Sequence, residues 1–456
     1  MEVDFKNKSR DFVSDVQRSK WHDTALWFVR SKRDVAVMNV DNWEELRNQA
    51  SNIKEHCISN LDKYLIEFEA NAKKNGVYIH WAIDGDEHNE IVGKILKSHN
   101  IKKLVKSKSM LTEECELNPY LEKQGIEVID TDLGERIIQM RNETPSHIVL
   151  PAIHIKKEEV SELFAEKWNT EKGNNDPEYL TYQARMSLRK DFLSADAALT
   201  GVNFAIAETG EVVVCTNEGN ADLGVNITNL QIHSMGLEKV IPKRKHLGVF
   251  TRMLARSATG QAITVYTSHF KKPKLQGEMH VIIVDNGRSE RLKKDYFWTS
   301  LKCIRCGACM NTCPIYRRSG GHSYGYTIPG PIGAILTPNI DLKKYSDLPF
   351  ASTLCGSCSD VCPVKIDIHN QLYKWRQEIG KNNVLPKTKS VAMGIAGKIL
   401  EKPKLFKFVF KIGRITLKIL PDFIIYNKWN NWGKARTMPE IKKRKNDKQR
   451  KNIGKY

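Results

Sequence analysis

A chain of 456 residues suffices for two or three domains, and 41% hydrophobic with 27% charged residues reads as folded, not disordered. No apolar run of roughly 7–15 residues opens it and none reaches about 18, so neither an export signal nor a spanning helix is expected. The net charge of +19 is concentrated at one end: residues 381–456 hold 21 Lys+Arg against 4 Asp+Glu, which confines any polyanion-binding argument to the tail.

Residues 1–70 read as an N-terminal helical segment. One stretch is expected to run from an Asp41 cap to Gly76, with Leu46, Ile53, Cys57, Leu61, Leu65 and Phe68 on one buried face. From Val77 the pattern changes to short apolar runs alternating with amphipathic stretches: VYIHWAI, EIVGKILKSH, KLVK, TEECELNPYLEKQ and IEVID. That alternation predicts a mainly parallel sheet covered by helices, an α/β domain over 71–290. HIVLPA is expected to continue it as a strand and EEVSELFAEKW as a helix. VNFAIAETGEVVVCT reads as two strands joined at Glu208-Thr209-Gly210, and AITVYTS and HVIIVDN complete the set.

Ten cysteines without an export signal favour metal over disulfides, and seven of them fall in two tight groups. The first, Cys303-x2-Cys306-x2-Cys309-x3-Cys313-Pro314, has the spacing of bacterial two-cluster ferredoxins. The second, Cys355-x2-Cys358-x3-Cys362-Pro363, matches its last three positions, with Ser352 where the first cysteine would stand. In the crossed arrangement one [4Fe-4S] cluster takes Cys303, Cys306, Cys309 and Cys362, and the other takes Cys313, Cys355 and Cys358. The fourth ligand of the second stays open between Ser352, another thiol, water, a partner's group or a three-iron [3Fe-4S] cluster. Two C-x2-C pairs alone would also suit zinc; seven cysteines with both C-P endings argue against it. The insert between the motifs reads as an ordered loop over the clusters. Arg305, Arg317 and Arg318 lie near the thiolates in sequence, as simple solvated surface or as groups that moderate cluster charge.

The motifs, the α/β pattern and several strings resemble the lactate-utilisation protein B family. The strings are HWAIDGDE (80–87), VKSKSMLTEE (105–114), LNPYLEKQGIEVIDTDLGE (117–135), PSHIVLPAIH (145–154), DAALTGVNFAIAETGEVVVCTNEGN (196–220) and EMHVIIVDNGR (278–288). The resemblance implies an N-terminal domain with a fold similar to ribose-phosphate isomerases and CoA transferases, then a helical ferredoxin-like two-cluster module over 291–385. It implies an electron-transfer component of a non-NAD complex that oxidises L-lactate to pyruvate, with the other subunits as partners. Catalysis by this chain at the incompletely ligated cluster, or a role as an iron–sulfur redox sensor, are the alternatives.

Other polar groups are weaker signals. Lys106, Lys108, Ser109, Glu113 and Glu114 gather where a strand meets a helix, as an anion site or as a solvated helix start capped by Thr112. Glu208 and Glu218 read as turn carboxylates, and His147, His154 and His233 as structural histidines. No G-x-G-x-x-G follows an early strand, which argues against a nicotinamide or flavin dinucleotide site. In the basic region 386–456, Lys404, Lys407, Lys411, Arg414 and Lys418 recur at helical spacing among Phe408, Phe410, Phe423, Tyr426, Trp429 and Trp432. That pattern suits peripheral contact with the inner face of the membrane through 400–456, or an acidic partner; no nucleic-acid partner is expected, and the location expected is cytoplasmic.

Overall fold

The computed structural model describes residues 4–427 and Thr437. The chain divides into two compact units, Met1–Val384 and Leu385–Tyr456. The first opens with four helices, α1 (Phe5–Ser14), α2 (Val16–Met38), α3 (Trp43–Ile58) and α4 (Leu61–Lys74). The single helix expected over 42–76 is broken at Ser59-Asn60. There the Asn60 amide donates to the His56 carbonyl (2.8 Å) and satisfies an end group that a longer helix would have paired internally.

Next come β1 (Tyr78–Ala82), α5 (Gly85–Ser98), β2 (Lys103–Lys106), α6 (Met110–Glu114), α7 (Leu117–Glu122), β3 (Glu127–Asp130), α8 (Leu133–Met140), α9 (Lys157–Trp168) and α10 (Pro177–Leu193). Then follow β4 (Ala197–Gly201), β5 (Phe204–Ile206), β6 (Glu211–Thr216), α11 (Asn220–Ile227), β7 (Leu230–Gly236), β8 (Val240–Ile241), α12 (Arg244–Thr259), β9 (Tyr266–Phe270) and β10 (Glu278–Val284). Six strands form one parallel sheet in the order β1-β10-β7-β4-β2-β3, and four form a second sheet, β8-β5-β6-β9. Period-2 alternation gives β10 two buried faces. Ile282 and Val284 pack with Val92, Leu96 and Leu121, whereas Met279, Val281 and Ile283 pack with Leu61, Leu65 and Phe68.

HIVLPA is not a strand. Its backbone donors are taken locally: the His147 ring accepts the Val149 and Leu150 N–H groups (3.0 and 3.1 Å), and Ser146 N–H closes onto the Pro151 carbonyl (3.0 Å). The expected helix over TEECELNPYLEKQ is likewise two short ones, interrupted at Glu116 with φ 53°.

The cysteine region continues with α13 (Arg288–Leu292), α14 (Ala308–Thr312), α15 (Pro314–Ser319), α16 (Gly330–Leu336), α17 (Ser357–Asp360) and α18 (Ile368–Lys381). The insert is therefore helical core instead of a covering loop: every residue of α16 is buried. Its apolar run packs into one core with Leu26 and Trp43 of the N-terminal helices, Phe250 of α12 and Trp375 of α18. The second unit contains α19 (Lys387–Glu401), α20 (Pro403–Ile419) and α21 (Asp422–Ile425).

Candidate metal centre

The two cysteine motifs are a repeat in backbone as well as in sequence. Gly307 and Gly356 follow the paired cysteines Cys306 and Cys355 with φ 74° and 82°, a left-handed turn that glycine adopts freely, and each opens a short helix. Arg305 and Leu354 occupy the same left-handed region at φ 61° and 55°, a costly position for side-chain-bearing residues. The Arg305 N–H donates to Cys303 Sγ (3.4 Å), and the Leu354 N–H donates to Ser352 Oγ (3.1 Å). Ser352 thus fills the role in its turn that Cys303 fills in the first.

The structure brings Cys303, Cys306, Cys309 and Cys362 around one small cavity, whose remaining wall is apolar: Ile148, Ile304, Ile332, Val364, Ile366 and Ile368. Cys313, Cys355 and Cys358 lie close enough that Cys358 feels the charge of both others. Burial raises the thiol pKa of Cys358 to about 12 and that of Cys362 to about 11. Further N–H donors reach Cys313 from Tyr316 (3.5 Å) and Cys362 from Ile366 (3.3 Å). A tetrahedral zinc with Zn–S near 2.3 Å would hold its sulfurs about 3.8 Å apart. Among the described residues no three cysteine sulfurs lie mutually within 4.8 Å, too open for a single zinc and consistent with a larger body between them. Thiolate donors, apolar walls and N–H···S bonds suit an iron–sulfur cluster.

The arginines separate. Arg305 is buried and pairs with Glu114 (3.3 Å). Arg317 pairs with Asp23 (3.1 Å) and stacks on Trp27, its charge felt at Cys313. Arg318 is exposed beside Asp23. The sequence reading missed a second layer. Arg288 binds Glu238 (2.5 Å) and Glu114 (3.0 Å), and buried Lys54 donates to the Glu238 carbonyl. Although burial alone would raise it, Arg288 beside Glu238 holds that carboxyl far below the ordinary range. From the other side, Arg47 donates to the carbonyls of Asp360 (2.6 Å) and Cys362 (2.9 Å), and Arg33 to that of Val361 (3.3 Å). A lone arginine on an amphipathic helix carries no sequence mark of such a clamp.

The remaining candidates are mostly structural. Lys106 is buried and bridges Asp130 (2.6 Å) and Glu113 (2.9 Å); burial opposes its charge, but the carboxylates raise its pKa, so it has no charge to spare for an anion. Ser109, not Thr112, caps α6, because its hydroxyl accepts the Thr112 N–H (3.3 Å). Lys108 donates to the Val149 carbonyl (2.9 Å). Glu208 accepts the Arg244 N–H (3.0 Å) at the start of α12. Glu218 accepts the Leu133 N–H (3.1 Å); burial, with Asp132 beside it, raises its pKa to about 7. His147 reaches Asn311 (3.0 Å), His154 lies between Ser146 (2.6 Å) and Glu143 (2.8 Å), and His233 meets Thr200 (2.6 Å). Cys57 donates to the Val240 carbonyl (3.2 Å), and Cys115 is buried. Cys215 faces a cavity of about 600 Å³ between the sheet and the first motif.

In the second unit, α20 carries Lys404, Lys407, Lys411 and Arg414 among exposed Leu405, Phe406, Phe408, Val409, Phe410 and Ile412. The Lys418 side chain, Trp429 and Trp432 lie outside the described residues.

Residues 65–293 match the LUD domain family model, and residues 299–366 match the 4Fe-4S dicluster domain. Lactate utilization protein B 1 of Bacillus mycoides (strain KBAB4) is 43% identical over 397 residues, covering 86% of this chain and 83% of its own length. Lactate utilization protein B of Bacillus subtilis (strain 168) is 44% identical over 378 residues, covering 81% and 78%. A solved structure of a DUF162 family protein from Deinococcus radiodurans aligns at TM-score 0.27 and 13% identity, over 49% of this chain and 98% of its own.

Proposed function

The chain belongs to the lactate utilization protein B family, and from that premise we propose that it is the iron–sulfur electron relay of a multi-subunit system oxidising L-lactate to pyruvate. The observation that supports this most is the convergence of cysteines from both motifs on one apolar cavity. In this reading Cys303, Cys306, Cys309 and Cys362 hold one four-iron cluster, and Cys313, Cys355 and Cys358 hold a second. Each cluster, when bound, supplies one-electron transfer. The chain's own residues do the rest. Apolar side chains keep water from the first site, and backbone N–H groups and Arg305 favour negative charge there, which raises the reduction potential. Exposed Cys355 leaves the second site nearer solvent, a suitable side for exchange with a partner subunit. Ser352 is the candidate fourth ligand we favour, because its hydroxyl takes the N–H bond that Cys303 takes in the first motif.

On this reading the domains are 1–70, 71–290, 291–385 and 386–456, with the α/β domain related in fold to ribose-phosphate isomerases and CoA transferases. The cationic, apolar α20 is assigned to peripheral contact with anionic lipid. Flotation of the full chain with anionic vesicles tests this: binding that salt weakens and Lys404, Lys407 and Lys411→Gln abolishes supports it, and salt-indifferent binding rejects it.

The relay itself is tested on anaerobically purified protein by iron and sulfide analysis with electron paramagnetic resonance. Two clusters are expected, reduced by L-lactate only when the partner subunits are present. Reduction by L-lactate of the chain alone would overturn the relay in favour of catalysis at the second cluster.

A further inference from the structure

The cavity of about 600 Å³ beside the first motif is not used by a relay. It lies at the carboxyl edge of the sheet, where ligands of open α/β folds bind. Lys108 and Ser109 reach it from beyond β2, Asp132 from beyond β3, Asn203 from beyond β4, and Glu238 and Lys239 from beyond β7. Its volume falls within the roughly 300–1,000 Å³ of sites for drug-sized ligands, so an acid as small as lactate would leave most of it empty.

The wall has two kinds of surface. The loop 148–155 and the α12 side chains Leu254, Ala255 and Ala258 make it apolar. Its amide side chains are engaged: Asn203 accepts the Cys215 N–H (2.9 Å), Asn217 donates to Gln261 (3.0 Å) and Asn220 to Thr131 (3.2 Å). Arg288 is saturated by Glu238 and Glu114. Lys239 differs. It lines the cavity, and among the described residues its ammonium makes no direct hydrogen bond or ion pair: Glu238, whose charge it feels together with that of Cys303, is held at closer range by Arg288. A half-buried ammonium with no direct partner favours an anion beside it. Ile148 and Cys306 line both this cavity and the small one among the four cysteines, so a molecule in the larger space is separated from the first cluster site only by a shared wall.

We propose that this cavity binds an amphipathic organic anion of cofactor size, its anionic group on Lys239 and its apolar body against 148–155 and α12, beside Cys306. The site stands on geometry and charge and does not depend on which electron donor the relay serves.

The test titrates anaerobic, cluster-loaded full-length protein with 8-anilinonaphthalene-1-sulfonate, an aromatic sulfonate, following its fluorescence and the paramagnetic resonance of the reduced clusters. Saturable binding of one probe per chain that perturbs the cluster spectrum is expected. Lys239→Gln should weaken binding about tenfold, the loss of one charge-assisted contact, and Lys239→Arg should restore it. Ala258→Trp should abolish binding by filling the cavity, with cluster absorbance intact. Absence of binding overturns the proposal. So does binding indifferent to Lys239→Gln and Ala258→Trp, which would put the probe on another apolar surface such as α20. A Lys239→Gln variant whose reduction potential shifts while probe affinity holds would assign Lys239 to the cluster alone and also overturn it. Lactate oxidation with the partner subunits is scored separately, so either reading can fail without the other.

Discussion

The two cysteine turns share a backbone and differ in surroundings. The first is walled in: Cys306 and Cys309 are buried, and Gly307 packs against His147 of the α/β domain. The second is open: Cys355 is exposed, and a Cβ on Gly356 would meet nothing within 4 Å. One backbone turn thus serves two electrostatic settings: in the first motif Cys306, Cys309 and Cys313 are buried, whereas in the second Cys355 is exposed beside buried Cys358 and Cys362. In such a pair, backbone geometry secures the cluster and burial sets its potential and its access.

The largest break in this comparison comes from Cys306→Ala, which should remove the first cluster and about half of the iron and sulfide by chemical analysis. Ser352 sharpens it. Ser352→Cys should give a second cluster that survives air as a four-iron species, whereas Ser352→Ala should enrich a three-iron signal in the resonance spectrum of oxidised protein. An unchanged spectrum in both would remove Ser352 from the ligand set. Arg47→Met should cost about 2–3 kcal/mol in denaturant unfolding, because it strips charged donors from the carbonyls that fix the second turn.

Acid acts on the loop that follows His147. Burial lowers the His154 pKa to about 4 against an ordinary 6.5, so its contribution is complete above pH 6.5 and is lost as the pH falls towards 4. Unfolding at pH 7 and pH 5 should show a loss on the order of 2 kcal/mol that His154→Gln reduces. Smallest is the paired glycine comparison. Gly356→Ala should cost about 1 kcal/mol, the left-handed penalty alone. Gly307→Ala should cost more, since its Cβ would stand 3.0 Å from His147.

The sheet was legible because its strands are written as apolar runs between helices. The cysteines were legible because their spacing is tied to one geometry. HIVLPA misled because strand-like composition does not reveal that His147 satisfies the backbone donors itself. The insert misled because glycine and proline usually mark loops, whereas here they let α16 pack into the core. The Arg47 clamp and the Arg288–Glu238 pair join residues far apart in sequence, and periodicity does not register such pairs.

The clamp from α3 also governs when the protein is finished. Arg47 holds the carbonyl of Cys362, 315 positions later in the chain. During synthesis the N-terminal helices emerge long before the segment they grip, so Arg33 and Arg47 wait without these carbonyl partners until the second motif is made. Closure of the cysteine region consequently follows synthesis of the second motif, and iron delivery has to meet a chain whose α/β domain is already made. A fragment cut to the 4Fe-4S dicluster segment, 299–366, would lack the grip that closes it.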